Sequence, residues 1–101
     1  MKIYTVTEVN TDNTRGAVGE IEEVRVFTNE EDAFKVVQDA LDRKNANAIG
    51  KERYENIEKI DGYGKPTDPE GKIIAEKTYD VYDYDCSYNC QWQIREHEIN
   101  Y

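Results

Sequence analysis

Cys86, Cys90 and His97 are the residues best suited to nucleophilic or metal chemistry, and Asp80, Asp83 and Asp85 to acid–base or cation chemistry. His97 is the single histidine, so a serine or cysteine nucleophile would depend on it as base. It follows Cys90 by an odd number of positions, and alternation along a strand turns such a pair to opposite faces. A Cys–His catalytic pair is therefore not expected, and His97 reads as a solvated strand residue. Cys86 and Cys90 are spaced more widely than the Cys-x-x-Cys opening of many zinc sites, with only His97 and nearby aspartates to complete a ligand set. Neither a metal nor a cofactor is expected. The cysteines read as reduced, small core side chains, with a cross-strand disulfide as the alternative in an oxidising compartment. The aspartates lack the sharp-turn glycine and closing glutamate of a calcium loop. Gly16-Ala17-Val18-Gly19 and Gly62-Tyr63-Gly64-Lys65 read as turns, since neither joins a strand to a helix with the Lys-Ser/Thr of a phosphate loop. The chain is not expected to be an enzyme.

The same stretch suits binding better than catalysis. From Thr78 to Ile94 there are three aspartates, four tyrosines and a tryptophan, and no lysine or arginine. Over all 101 residues, 22 acidic and 13 basic side chains give a formal net charge of −9. Such a charge repels nucleic-acid phosphate and anionic lipid, both of which are held by cationic faces. A basic protein surface would be attracted, above all one built to hold nucleic acid. The plainer alternative is that the charge serves solubility alone.

The length suits one domain spanning residues 1–101. The hydrophobic content of 38% and charged content of 35% imply a thin core and a soluble chain. No run of apolar residues is long enough for a membrane helix, and no apolar signal segment opens the sequence, so the cytoplasm of a bacterium or of an infected host cell is the expected location.

Ile3 to Val9 and Ile21 to Phe27 read as strands joined by a polar loop, Asn10 to Gly19. In the second strand Val24 and Val26 share one face, Glu23 and Arg25 the other. Thr28 and Glu31 have capping-box spacing, and Glu30, Glu31 and Asp32 place negative charge where a helix dipole favours it. Ala33, Phe34, Val37, Ala40 and Leu41 then form an apolar stripe, predicting a helix over Glu30 to Lys44. Asn45 to Gly50 is a break. Lys51 to Ile60 fits a short second helix through Tyr54, Ile57 and Ile60, with a strand as the alternative. Gly62 to Lys72 is a loop in which Asp68-Pro69-Glu70-Gly71 has β-turn chemistry.

Ile73 to Asp85 and Gln91 to Ile99 read as the last two strands. A turn at Ser87-Tyr88-Asn89 would set Cys86 opposite Cys90, Tyr84 opposite Trp92 and Tyr82 opposite Ile94 on one apolar face. Tyr79, Tyr88 and Tyr101 would then be exposed. Asp80 and Glu96 conflict with this register, since both would fall on the apolar face unless the strands outrun the core or a bulge intervenes. The expected fold is α+β, an antiparallel sheet of about four strands with one long helix on a face.

The segments Lys2-Ile3-Tyr4-Thr5-Val6-Thr7, Val24-Arg25-Val26-Phe27-Thr28 and Glu30-Glu31-Asp32-Ala33, closed by Ile94-Arg95-Glu96-His97-Glu98-Ile99-Asn100, resemble many small uncharacterised bacterial and phage proteins. That resemblance covers about half the chain and implies a ββα-type sheet on a helix, with no activity attached. By size and charge alone the chain is also similar to phage-encoded inhibitors of host defence, such as anti-CRISPR or anti-restriction proteins. The function expected is a binding protein that engages a basic host protein, such as a nuclease, by charge mimicry. Its contacts would be Asp80, Asp83, Asp85, Glu30, Glu31 and Asp32, with Tyr88 as anchor. The alternative is a structural protein that assembles with a second copy through an exposed strand edge.

Overall fold

The computed structural model describes residues 1–12, 18–47, 56–82 and 87–99. They form an α+β fold: strands β1 (Lys2–Asp12) and β2 (Val18–Phe27), helix α1 (Glu30–Asn47), then strands β3 (Lys72–Tyr82) and β4 (Ser87–Glu98). The four strands make one sheet in the order β2-β1-β4-β3, antiparallel at each pairing, and α1 packs on one face of it. The last strand thus returns to pair with the first, which places both termini of the described chain side by side. Met1 donates from its ammonium to the Ile99 carbonyl at 3.2 Å.

The apolar stripe of α1 faces the sheet as its spacing requires. Ala33, Val37 and Leu41, one turn apart, are fully buried, and Phe34 and Ala40 pack beside them. Beneath lie Tyr4 and Val6 of β1, Ile74 and Ala75 of β3, and Cys90, Trp92 and Ile94 of β4. Burying one large aliphatic side chain of this kind contributes roughly 1.5–3 kcal/mol. The helix is capped by Asn29, whose Oδ1 accepts from the Glu31 N–H at 2.8 Å. Thr28 lies one residue too early to fill that position, which corrects the capping-box reading. The helix also runs through Asn45, Ala46 and Asn47, where a break was expected.

The β3–β4 register differs from the predicted one. Tyr82 stands opposite Ser87, Tyr79 opposite Cys90, Lys77 opposite Trp92 and Ala75 opposite Ile94. Ser87, Tyr88 and Asn89 therefore belong to β4, and the partners of Cys90 and Trp92 are Tyr79 and Lys77 instead of Cys86 and Tyr84, which lie outside the described residues. The shift changes parity, and a parity change moves a whole row to the other face. Asp80 leaves the Trp92 row and stands opposite Asn89. Glu96 remains on the core face and is buried there. Near its start β3 carries a bulge between Ile73 and Ala75, so that Ile73, Ile74 and Ala75 are buried in succession.

In β2 the two expected rows hold, but the valines turn away from the helix. Phe27 stands opposite Tyr4 and Arg25 opposite Val6, both in the core row, while Val24 and Val26 are exposed. The β1–β2 hairpin is longer than predicted: residues 10–12 and 18–19 belong to its strands. A second bulge separates Glu8–Glu23 from Val9–Ile21, with Glu22 as the additional residue.

Asn56 to Ile60 has no regular structure, so this part of the expected second helix is absent; residues 51–55, with Tyr54, lie outside the described chain. Ile57 is nevertheless a core residue. The segment then passes along the outer side of β3, where Ile60 N–H donates to the Ile74 carbonyl at 2.8 Å and Ile73 N–H to the Tyr63 carbonyl at 3.0 Å. It crosses to the face opposite the helix, where the Asp68–Gly71 turn closes as expected, with Gly71 N–H on the Asp68 carbonyl at 2.9 Å.

Candidate functional site

The five predicted contact residues that are described, Glu30, Glu31, Asp32, Asp80 and Tyr88, fall in two groups toward opposite ends of the sheet. Glu30, Glu31 and Asp32 occupy the first turn of α1, three residues beyond Phe27, which pairs with Tyr4. Asp80 stands level with Asn89 and Thr11, and Tyr88 pairs with both Asp12 and Val81. From Tyr4 to Thr11 along β1 is roughly 24 Å at about 3.4 Å per residue. Asp83 and Asp85 lie outside the described residues, in the segment that connects β3 to β4.

Each group has its own setting. Glu31 and Asp32 are exposed. Glu30 is engaged within the chain: Lys59 Nζ lies 2.9 Å from its Oε1, and this hydrogen bond raises the Lys59 ammonium above its ordinary range. At the other end, strand pairing adds acidic residues that lay outside the expected strands. Asp12 stands beside Tyr88, and Glu20 beside Asn10 and so level with Cys90. The signal that could have found them is the matched length of the two hairpins, each of which extends well past Trp92.

The chemistry-bearing residues are kept apart. Cys90 is buried in the core, with its Sγ 3.6 Å from Glu8 Oε1. His97 is on the opposite face, where Thr5 Oγ1 lies 3.0 Å from its Nε2 in a half-buried contact. It is therefore a packed residue rather than a solvated one. Among the described residues no three of His, Cys, Asp and Glu converge to hold a metal ion. A cleft of about 140 Å³ opens between α1 and the sheet beside Glu8, Arg25, Arg43 and Trp92. The Glu8 carboxylate at its wall already accepts the Trp92 indole N–H at 2.7 Å.

On the outer face, the 61–71 segment is tied down by a chain of polar contacts. Tyr63 Oη donates to Glu76 Oε1 at 3.2 Å, Gln93 Nε2 donates to the same oxygen at 2.9 Å, and Arg95 donates to Gln93 Oε1 and to the Glu70 carbonyl. An open groove lies beside Tyr63, Pro69, Ile73 and Arg95.

Comparison of the chain with protein-family models, curated proteins and solved structures found no match. Among the described residues no helix is long and apolar enough to cross a membrane.

Proposed function

We propose that this chain is a non-catalytic binding protein whose carboxylates engage a basic protein surface of the kind that otherwise holds nucleic acid. The observation that supports this most directly is the strand pairing at the end of the sheet remote from the helix N-terminus. There Asp80, Asp12 and Glu20 are brought level with the Tyr88–Cys90 stretch of β4, and Asp83 and Asp85 follow Asp80 closely in the sequence. In this reading the partner's arginines and lysines form charge-assisted hydrogen bonds with these carboxylates in place of phosphate, and Tyr88 supplies a rigid aromatic contact. Glu31 and Asp32, at the other end of the sheet, serve long-range attraction rather than contact. An inhibitor encoded by a phage or mobile element, acting on a host nuclease, is the sharpest form of the proposal.

The test is a pull-down from bacterial lysate at low and high salt, with the wild-type chain and the Asp80→Asn/Asp83→Asn/Asp85→Asn variant. The expected result is capture of a basic, nucleic-acid-binding protein at low salt, lost both at high salt and in the variant, because exposed charge pairs are screened. Retention that is flat across salt, or a folded variant that holds its target equally well, overturns the reading.

A further inference from the structure

The two edges of the sheet are finished differently. Along β3 the segment around Ile60 to Tyr63 takes up outward-facing backbone groups near the strand's start. Along β2, the other edge, no described segment pairs on the outer side. Val24 and Val26 of that strand are 57% and 62% exposed. They stand opposite Thr7 and Thr5 of β1, which makes the edge and the adjoining face a β-branched strip. An open, flat edge with apolar residues is a template for another strand unless it is blocked. The bulge at Glu22 divides β2, leaving Glu23–Phe27 as the regular ladder.

We propose that this edge is a strand-addition site, taking an extended segment of a partner in which valine-like residues alternate with lysine or arginine. The proposal rests on the reading that the partner is basic and adds to it the place and manner of docking. Charge selects the occupant. β2 carries Glu20, Glu22 and Glu23 against Arg25 alone, and Arg25 is already engaged within the chain. A second copy would bring together two chains of net charge −9, which repel one another. A basic strand is attracted by the same net charge. Its ladder hydrogen bonds supply affinity, and its apolar row covers Val24 and Val26.

The probe is a synthetic peptide of about eight residues, an ordinary strand length, alternating valine with lysine. Controls are a peptide of the same composition with the two residues in blocks, and one alternating valine with glutamate. Amide exchange and NMR shifts of the full chain are followed during titration. The expected result is protection of amides in Glu23–Phe27 by the alternating basic peptide alone, and at least tenfold weaker binding to Val24→Lys/Val26→Lys, whose substitutions lie at exposed positions. Equal binding of the blocked peptide, undiminished binding to that variant, or no binding overturns the inference. Shifts confined to the Asp80–Asn89 end also overturn it, while leaving the proposed function standing. A dimer by light scattering, with these amides already protected in the free protein, overturns it in favour of a second copy.

Discussion

Lys2 Nζ lies 2.9 Å from Glu96 Oε1, closing β1 onto β4 at the end of the sheet where the helix begins. The Glu96 side chain is only 10% exposed and sits on the core face. Its partner comes from the opposite end of the sequence. Removing one member of such a pair strands a charge, whereas replacing both with apolar groups often costs little. Lys2→Met is therefore expected to lower the melting temperature, and Lys2→Met/Glu96→Leu to recover much of the loss. Equal stability of the wild type and Lys2→Met would show that the pair contributes nothing.

The same corner predicts an alkaline limit to stability. The hydrogen bond to Glu96 raises the Lys2 ammonium above the usual 10.5, and Glu30 does the same for Lys59. Burial, with Glu96 and Glu30 nearby, raises the Tyr4 phenol above 10.0. In each case the folded state holds its proton more tightly than the unfolded one. The stabilisation is then full below the unfolded value and is lost as pH rises through the folded one. The denaturant midpoint should be flat through mildly alkaline pH and fall from about pH 10 upward. Tyr4→Phe should remove part of that fall; a variant with the full wild-type slope would exclude Tyr4 as a contributor.

How much of this was legible in the sequence depended on whether the deciding contact was local. The helix stripe of Ala33, Val37 and Leu41 and the turn at Asp68–Gly71 are written within a few residues, and both form. The β3 register was not legible. Tyr79 and Val81 make one row and Tyr82 and Tyr84 the other, so both rows look apolar and only the position of the turn decides between them. A register displaced by an odd step freed Asp80 from the core row. For Glu96 the resolution was Lys2, a residue that no local pattern could have supplied. In β2 the alternation was visible, but which row met the helix was fixed by the pairing of Phe27 with Tyr4. Of the candidate site, the acidic first turn of α1 was legible locally, whereas its separation from Asp80 along the sheet was set by strand pairing.

Trp92, the single tryptophan, donates its indole N–H to Glu8 Oε1 at 2.7 Å and is itself 2% exposed. Glu8→Leu would leave that donor buried without an acceptor, at a cost of about 1–3 kcal/mol. Glu8→Gln keeps an acceptor of the same length and should cost less. Chemical denaturation followed by tryptophan fluorescence measures both; if the leucine variant were the more stable of the two, the hydrogen bond would not be the reason for Glu8.

Gly71 combines a φ of +74° with the lack of space for a side chain: a Cβ there would come within 2.7 Å of the Glu96 carbonyl and of the His97 ring. Gly71→Ala is expected to destabilise the fold by about 1 kcal/mol or more. It should also displace His97 from Thr5, which the His97 ring resonances would report. A neutral substitution with unchanged histidine shifts would refute the close approach.

Gln38 is the clamp that holds the returning chain against the helix. Its Oε1 accepts from the Ile57 N–H at 3.0 Å, while Nε2 donates to Asn56 Oδ1 at 3.0 Å and to Asp42 Oδ1 at 2.9 Å. Ile57 is anchored in the core just at this point, so the clamp and the side chain act on the same residue. Gln38→Leu keeps the helix but removes every one of these contacts, and should cost about 1 kcal/mol for the amide left without its acceptor. Hydrogen exchange locates the effect: the Ile57 amide should lose protection while the amides of β1 and β4 keep theirs. If Ile57 stayed protected, the segment would be held by apolar packing alone, and Ile57→Ala rather than Gln38→Leu would be the change that releases it.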